Sequence, residues 1–546
     1  MAASLSLGKF LVGTSLFTIV INWFLEASRP DPIWIHYRGK WNTLTVKSFF
    51  RDLADENFKP KWRLFKSRPA ILVLMLVVVL HLIGTIWSPD QHEAWKDIKI
   101  KLPLLLVPLV IGTTPPLNKK LFELLLLTFV VSVFISTLST ILIANGIIHT
   151  RKPIMDIRDA SVFVPLMRLS LMCALSVFFL CRWIYRKKRF LFKTLSLILI
   201  FWFLWFLQYM QSLTGLFILF SGGLILTVAM LFFYKRRITA IVLTGLFLFA
   251  TVLSAWYMTN YYKKNFTIHL VDENKLEKFT AHGNAYLFEP NYPMIENGHQ
   301  VRMYFCWKEL DSAWATRSKI DFNTGTDING NPIHITILRY LTSANSRKDA
   351  DAINRLSDEE ISEIEKGETN ILNKERSPLE RRTYQVCWEL YHYFNGANPS
   401  GNSVTMRLEF AKTAVGCIKQ HPWIGAGTGG QQKVYEETYN TKGTLLTEEY
   451  QWMHAHNQFL SIGVCLGIPA LLYFIFSLWY APMKMKRWRS YLYLAFFLVV
   501  ALSFIDDDTL ETSQGVNFFA FFNALFLFSM PRESALRVTE NENLPL

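Results

Sequence analysis

The chain has 546 residues, of which 51% are hydrophobic, 15% aromatic and 18% charged, with a formal net charge of +14. So apolar a composition excludes a disordered chain and points to a polytopic membrane protein. The positive balance would also suit a nucleic-acid or membrane-surface partner, and its distribution along the chain decides between them.

Roughly 20 apolar residues are needed to cross the hydrocarbon core of a bilayer. Apolar stretches at 5–26, 70–87, 102–114 (short), 121–147, 161–182, 190–210, 213–234, 238–258, 457–480, 490–505 and 514–530 predict about eleven transmembrane helices. The first is long and lacks a small-residue cleavage site, so it does not read as a cleavable signal peptide. The segment 27–69 carries ten Lys/Arg against four acids, and alternate loops after it are also basic: Lys119–Lys120, RWIYRKKR, YKRR, MKMKRWR and PRESALR. The loops between them are acidic or nearly neutral, with HTRKPIMDIRD at 149–159 the mild exception. Basic loops face the cytoplasm. The charge is therefore an orientation signal, and nucleic acid loses its support as a partner. The same alternation puts the long segment 261–455 and the amino terminus outside, which expects either an absent first span or a chain that starts late.

The expected organisation is a transmembrane bundle over 1–260, a large outer loop domain over 261–455, three further spans within 456–531 and a cytoplasmic tail at 532–546. The fold class is thus an all-α polytopic membrane protein with one large, mainly helical outer domain. Structureless loops beyond about 15 residues are uncommon, so the outer segment must fold. Its first part, 266–341, mixes β-branched runs such as HITILRYL with turn signals such as DINGNP and reads as a few strands or extended pieces. Ser357 with Glu360 forms a capping box ahead of EEISEIEKG. LERRTYQVCWELYHYF and SVTMRLEFAKTAVGCIKQ have helical spacing. Six cysteines form no C-x-x-C pair, which argues against a zinc ribbon or thioredoxin-like site. One disulfide among Cys306, Cys387 and Cys417 is open as an expectation.

Several residues are candidates for chemistry. Gly425, Gly427 and Gly430 in HPWIGAGTGG formally match G-x-G-x-x-G, but a helix and a Pro-containing turn precede them where a dinucleotide site needs a strand. Two readings stay open: a turn that requires φ > 0, and a helix N-terminus offering N–H groups to an anion such as phosphate. His454 and His456 in QWMHAHNQFL could suggest a metal pair. In a helix they would point about 200° apart, and no Cys or H-E-x-x-H helix completes a ligand set. A capping histidine, or a base poised at a membrane-facing cleft, remains. Ionisable residues inside spans are functional candidates. Arg168 is one, with snorkelling to the interface as its plain alternative; Lys99 and Lys101 snorkel more readily still. Asp506, Asp507, Asp508 and Glu511 read as a solvated outer turn. Arg407 lies on the helix before the Gly-rich turn, with a solvated surface arginine as the alternative.

R-L-E-F at 407–410, HPWIGAGTGG at 421–430 and HAHNQFL at 454–460 together resemble the O-antigen ligase and O-antigen polymerase superfamily of bacterial inner-membrane proteins. The ligase pattern of His, then Asn, Ser or Gln, nine residues and Gly-x-x-Gly is matched by His456, Asn457 and Gly467, and departs at Ala470. WKDIKIKLPLLL and DTLETSQGVNFFAFFNALF also look like that family, so the resemblance covers nearly the whole chain. A serine-arginine pair at the start of a middle span is not matched, since Leu213 follows Ser212; Arg168 is a substitute for the missing arginine. Members usually have about twelve spans, with the large loop in the periplasm. The resemblance implies an enzyme that moves a glycan from undecaprenyl diphosphate to an acceptor hydroxyl on the periplasmic side, with no cofactor or metal and with inversion at the anomeric carbon. Lipid A-core is the first acceptor; a growing glycan (O-antigen polymerase) or a protein hydroxyl (protein O-oligosaccharyltransferase) are the alternatives, and a transporter is a distant one. On this reading His456 and Arg407 are catalytic, as proton acceptor and diphosphate neutraliser. His454, Asn457, Arg168, Lys101, Gly425 and Gly427 bind substrate.

Overall fold

The computed structural model describes residues 1–25, 57–149, 157–233, 236–268, 277–451 and 453–531. The tail at 532–546, most of the basic loop 27–69 and parts of the loops around 149–159 and 234–237 lie outside the described residues. The described chain forms two compact units: Met1–Thr244 with Phe410–Gly443 and Trp452–Leu546, and Gly245–Glu409 with Thr444–Gln451.

The helices of the amino-terminal half are α1 (Lys9–Leu25), α2 (Lys59–Ser67), α3 (Ala70–Gly84), α4 (Gln91–Lys101), α5 (Pro103–Gly112), α6 (Lys119–Ala144), α7 (Leu166–Arg186), α8 (Phe190–Tyr209), α9 (Leu213–Phe233) and α10 (Arg237–Phe266). The middle of the chain supplies a two-stranded hairpin, β1 (Ile295–Glu296) and β2 (His299–Gln300), then α11 (Trp307–Arg317), α12 (Ile333–Ser343), α13 (Ala350–Arg355), α14 (Asp358–Glu365), α15 (Pro378–Phe394), α16 (Ser403–Gln420) and α17 (Gln431–Lys442). The last helices are α18 (Gln458–Lys484), α19 (Tyr491–Asp506) and α20 (Ser513–Ala524). Each of the eleven apolar stretches carries a helix. Six of these helices, α6 to α10 and α18, are long and apolar enough to cross a membrane, or up to seven if α2 and α3, bent by 89° at their junction, form one broken span. The protein is therefore an all-α, multi-pass membrane protein.

In the first unit α7 is the central post, with α6, α8, α9 and α19 packed around it, while α18 lies on α3 and α20 on α5. Its core is dominated by phenylalanine; Phe129 meets Phe522 edge to face at 4.7 Å, the arrangement that the ring quadrupole favours. Between α4 and α5 the chain passes through Leu102 and Pro103 without leaving helical geometry. A proline at the first helical position removes an N–H that has no intrahelical partner anyway.

The second unit has its own core, with Trp314, Tyr340, Ile337 and Phe322 fully buried. Glu296 is completely buried there and is held by Arg339 (2.9 Å), Tyr384 (2.8 Å) and Asn370 (2.9 Å), so its charge is paired on every side. The capping box of Ser357 and Glu360 is present, and both expected helices form as α15 and α16. The stretch 266–341, expected to be strands or extended pieces, departs twice: Trp307–Arg317 forms the helix α11, and HITILRYL is the second case. Instead of a strand it forms most of α12, because Ile333, Ile337, Leu338 and Leu341 recur on one helical face and fill the core; burial overrides β-branched propensity. The DINGNP turn is as expected, with the Asp327 side chain accepting from the Asn329 and Asn331 N–H groups at 2.9 Å. All six cysteines carry free thiols, so the expected disulfide among Cys306, Cys387 and Cys417 is not formed.

Candidate active site

The chemistry-bearing residues of the first unit gather around the start of α18 and the link between α19 and α20. Asn457 is the N-cap of α18, its Oδ1 accepting from Leu460 N–H at 3.0 Å while its Nδ2 donates to the Ile505 carbonyl at 2.9 Å. Gln458 donates to Glu511 at 3.0 Å and accepts from Leu510 N–H at 2.6 Å. One residue caps the helix and both tie it to the 505–511 segment. The ring of His456, just before the cap, is thereby held beside that segment, edge-on to Phe410 at 6.0 Å.

That segment is not the solvated turn expected from its acids. Asp507 is 4% exposed and forms an ion pair with Arg168. The guanidinium of Arg168 also donates to Thr512 (3.1 Å), Thr509 (3.4 Å) and the Asp508 carbonyl (3.4 Å). Arg168 is thus buried and paired rather than snorkelling, and its donors are spent on protein. Arg168 takes Oδ2 of Asp507, and the other carboxylate oxygen faces His456, whose Nδ1 lies 3.8 Å from Oδ1. Lys101 corrects a second expectation: it is 1% exposed, paired with Asp97 and, at 2.7 Å, with Glu511. Lys99 is the exposed member of that pair of lysines.

Two neighbouring carboxyls are driven apart. Burial and the charges of Asp507 and Glu511 push Asp508 up. Burial also opposes ionisation of Asp507, but the His456 ring, Arg168 and a hydrogen bond from Asp508 outweigh it and hold Asp507 low. Like charges this close do not both ionise readily. Glu511 is held low by Lys101 in spite of burial, and burial lowers His454. Ligand atoms of His456, Asp507 and Asp508 all lie within 4.8 Å of one another, close enough to hold a cation, although Arg168 already neutralises Asp507. His454 and His456 do not act as a pair. His454 packs 5.5 Å from the Tyr435 ring, and its Nε2 is buried without a hydrogen-bond partner.

The Gly-rich turn has a structural task. Gly425 and Gly427 adopt φ of 66° and 84°; a Cβ on Gly425 would lie 2.4 Å from the Cys465 backbone, and one on Gly427 2.9 Å from Ser88 Cα. Helix α18 breaks at Gly467, φ 79°, followed by Pro469. Pro469 has no N–H for the Cys465 carbonyl, so Gly427 N–H supplies it at 2.9 Å; Ile468 N–H turns to Pro422, so Ala426 N–H takes the Val464 carbonyl at 2.8 Å. Every N–H from Gly425 to Gly430 is bonded to a protein carbonyl. The expected donation from Gly425 and Gly427 to an anion is therefore not available, and the φ > 0 turn is the reading the structure bears out.

Arg407 lies on α16 in the second unit, half-buried. Sequence reading missed the roles of Asp507, Asp508 and Glu511. The available signal was three acids facing two intramembrane bases, Arg168 and Lys101, across the alternation of spans.

These features define a multi-pass membrane protein with a buried charge network around one histidine at the mouth of a span. Residues 369–475 match the family model described as O-antigen ligase. That stretch, less than half of the chain, holds Arg407, His454, His456, Asn457 and Gly467, and it is similar to the O-antigen ligase family. A glycosyltransferase of ligase or polymerase type is the enzyme class this supports. No curated protein matches the chain.

Proposed function

We propose that the protein is a bacterial inner-membrane glycosyltransferase of the O-antigen ligase type. It moves a glycan from undecaprenyl diphosphate to an acceptor hydroxyl, lipid A-core in the first instance, on the periplasmic face. The observation that carries the proposal is the His456 ring set against Asp507, itself clamped by Arg168. In that arrangement an ionised carboxylate orients the imidazole toward the hydroxyl whose proton it takes. His456 takes the proton of the acceptor hydroxyl. The acceptor oxygen forms the new bond to the anomeric carbon from the face opposite the diphosphate. The bond to the diphosphate oxygen breaks, its electron pair leaves with the diphosphate, and the configuration inverts. Arg407 is assigned to the diphosphate charge on the sequence resemblance. The eleven-span, periplasmic-loop topology belongs to the same reading, supported by the alternation of basic loops.

The test is transfer by the purified full-length protein in nanodiscs, with an undecaprenyl-diphosphate glycan and lipid A-core. His456→Ala is expected to lower the rate about 10³-fold, Arg407→Ala to lower it as well, and EDTA to leave it unchanged. Full activity in both variants overturns the site. Activity lost to EDTA and restored by a divalent metal reassigns His456, Asp507 and Asp508 to a metal.

A further inference from the structure

An open cleft of about 350 Å³ adjoins the histidine and has no part in the step above. Glu93 and Lys96 of α4, Gln431 and Gln432 at the start of α17, His454 and Asp508 line it. Asp508 connects it to the chemistry, because its carboxylate lies within 4.8 Å of a His456 ring nitrogen. A hydroxyl held in the cleft beside Asp508 would therefore sit next to the proposed proton acceptor.

The lining is suited to hydroxyl groups. Carboxylates accept hydrogen bonds from them and amide side chains both donate and accept, while Ile100 adds an apolar surface for C–H groups. The buried Nε2 of His454 has no partner among the described residues. The cleft is poorly suited to phosphate. Glu93, Asp97, Asp508 and Glu511 outnumber the lysines Lys96 and Lys101. Both lysines are already ion-paired, Lys96 to Glu93 at 3.0 Å and Lys101 to Asp97 and Glu511. The N–H groups of Gly429 and Gly430 are bonded to the Gly427 carbonyl. An arriving phosphate would meet a net negative wall.

We infer that this cleft is the acceptor subsite, and that it takes an uncharged, hydroxyl-rich sugar and turns away a phosphorylated one. This rests on the transferase reading of His456 and adds to it the class of acceptor.

The full-length protein in nanodiscs is titrated with a panel of neutral hexose trisaccharides, each paired with its phosphate monoester, with binding read by saturation-transfer NMR. Wild type is expected to bind at least one neutral member and to bind its phosphate monoester more weakly. Gln432→Ala and Glu93→Gln are each expected to weaken neutral binding about tenfold, the value of one lost hydrogen bond to a charged or polar group. His456→Ala should bind as wild type. In the transfer assay the two cleft variants should raise the acceptor KM and leave kcat and the donor KM unchanged. Glu93→Lys should narrow the preference against phosphate. Equal or tighter binding of the monoesters, no binding of any neutral member, or wild-type binding by both cleft variants overturns the inference. If saccharides bind as expected but no glycan is transferred, the transferase reading fails and with it the acceptor role, and only the cleft's preference for neutral sugars stands. If transfer proceeds and cleft variants are silent, only the cleft assignment fails.

Discussion

Asp507 stands between Arg168 and His456, and its two neighbours ask different things of it. Arg168 neutralises a buried charge, without which the carboxylate would carry a large desolvation cost. In the proposed transfer step, His456 needs that same carboxylate to orient its ring. Asp507→Asn keeps the shape and removes the charge, so transfer is expected to fall about 100-fold or more, and the thermal midpoint to fall as well because Arg168 stays buried without its counter-charge. Glycan transfer and the thermal midpoint, measured together, check this; an unchanged rate sinks the orienting role. Arg407 and His456 both stood out in the sequence as candidates, because each lies in a short motif. Asp507 was legible only as one of several acids in a turn, since nothing local distinguishes a buried carboxylate from a solvated one.

At the scale of elements, the break in α18 and the Gly-rich turn form one device. A proline two residues after Gly467 leaves carbonyls unpaired, and the turn donates the missing N–H groups. Gly427→Ala puts a Cβ 2.9 Å from Ser88 Cα at a φ of 84°. Strain and displacement together are expected to cost about 2–3 kcal/mol and to lower the thermal midpoint in detergent. An unchanged midpoint would show that the turn yields easily. The need for glycine was visible from the spacing of Gly425 and Gly427. The use of the Ala426 and Gly427 N–H groups was not, because the carbonyls they satisfy, Val464 and Cys465, belong to a helix some 40 residues later, a partner that no local pattern predicts. HITILRYL teaches the same lesson in reverse: its β-branched residues suggested a strand, and the burial of one helical face made it α12.

At the scale of the whole molecule, the two units answer to different physics, and the second carries a pH signature. His392 is 3% exposed. Its Nδ1 lies 2.7 Å from the Trp388 carbonyl and its Nε2 accepts from Ile295 N–H at 3.2 Å, which specifies the neutral ring. Burial lowers its pKa from 6.5 to about 4. The unfolded ring therefore takes up its proton first as pH falls. Stability of this unit is full above about 6.5, declines between 6.5 and 4, and levels off below, a loss of about 3 kcal/mol from this group. Amide exchange of the α15 region across that range measures it, and His392→Phe should flatten the slope.

What the sequence determined by itself is what local chemistry decides. An apolar run long enough for a bilayer is helical wherever it packs, a Ser-x-x-Glu box caps its own helix, and a histidine-asparagine pair before a span marks its own motif. What only the tertiary structure decided is which charges meet. Arg168 and Asp507 are 339 residues apart and Lys101 and Glu511 are 410 apart, with no periodicity to join them. Each is a buried ionisable group, costly alone, and the packing of α4, α7, α19 and α20 brings it to a distant partner that makes its burial tolerable.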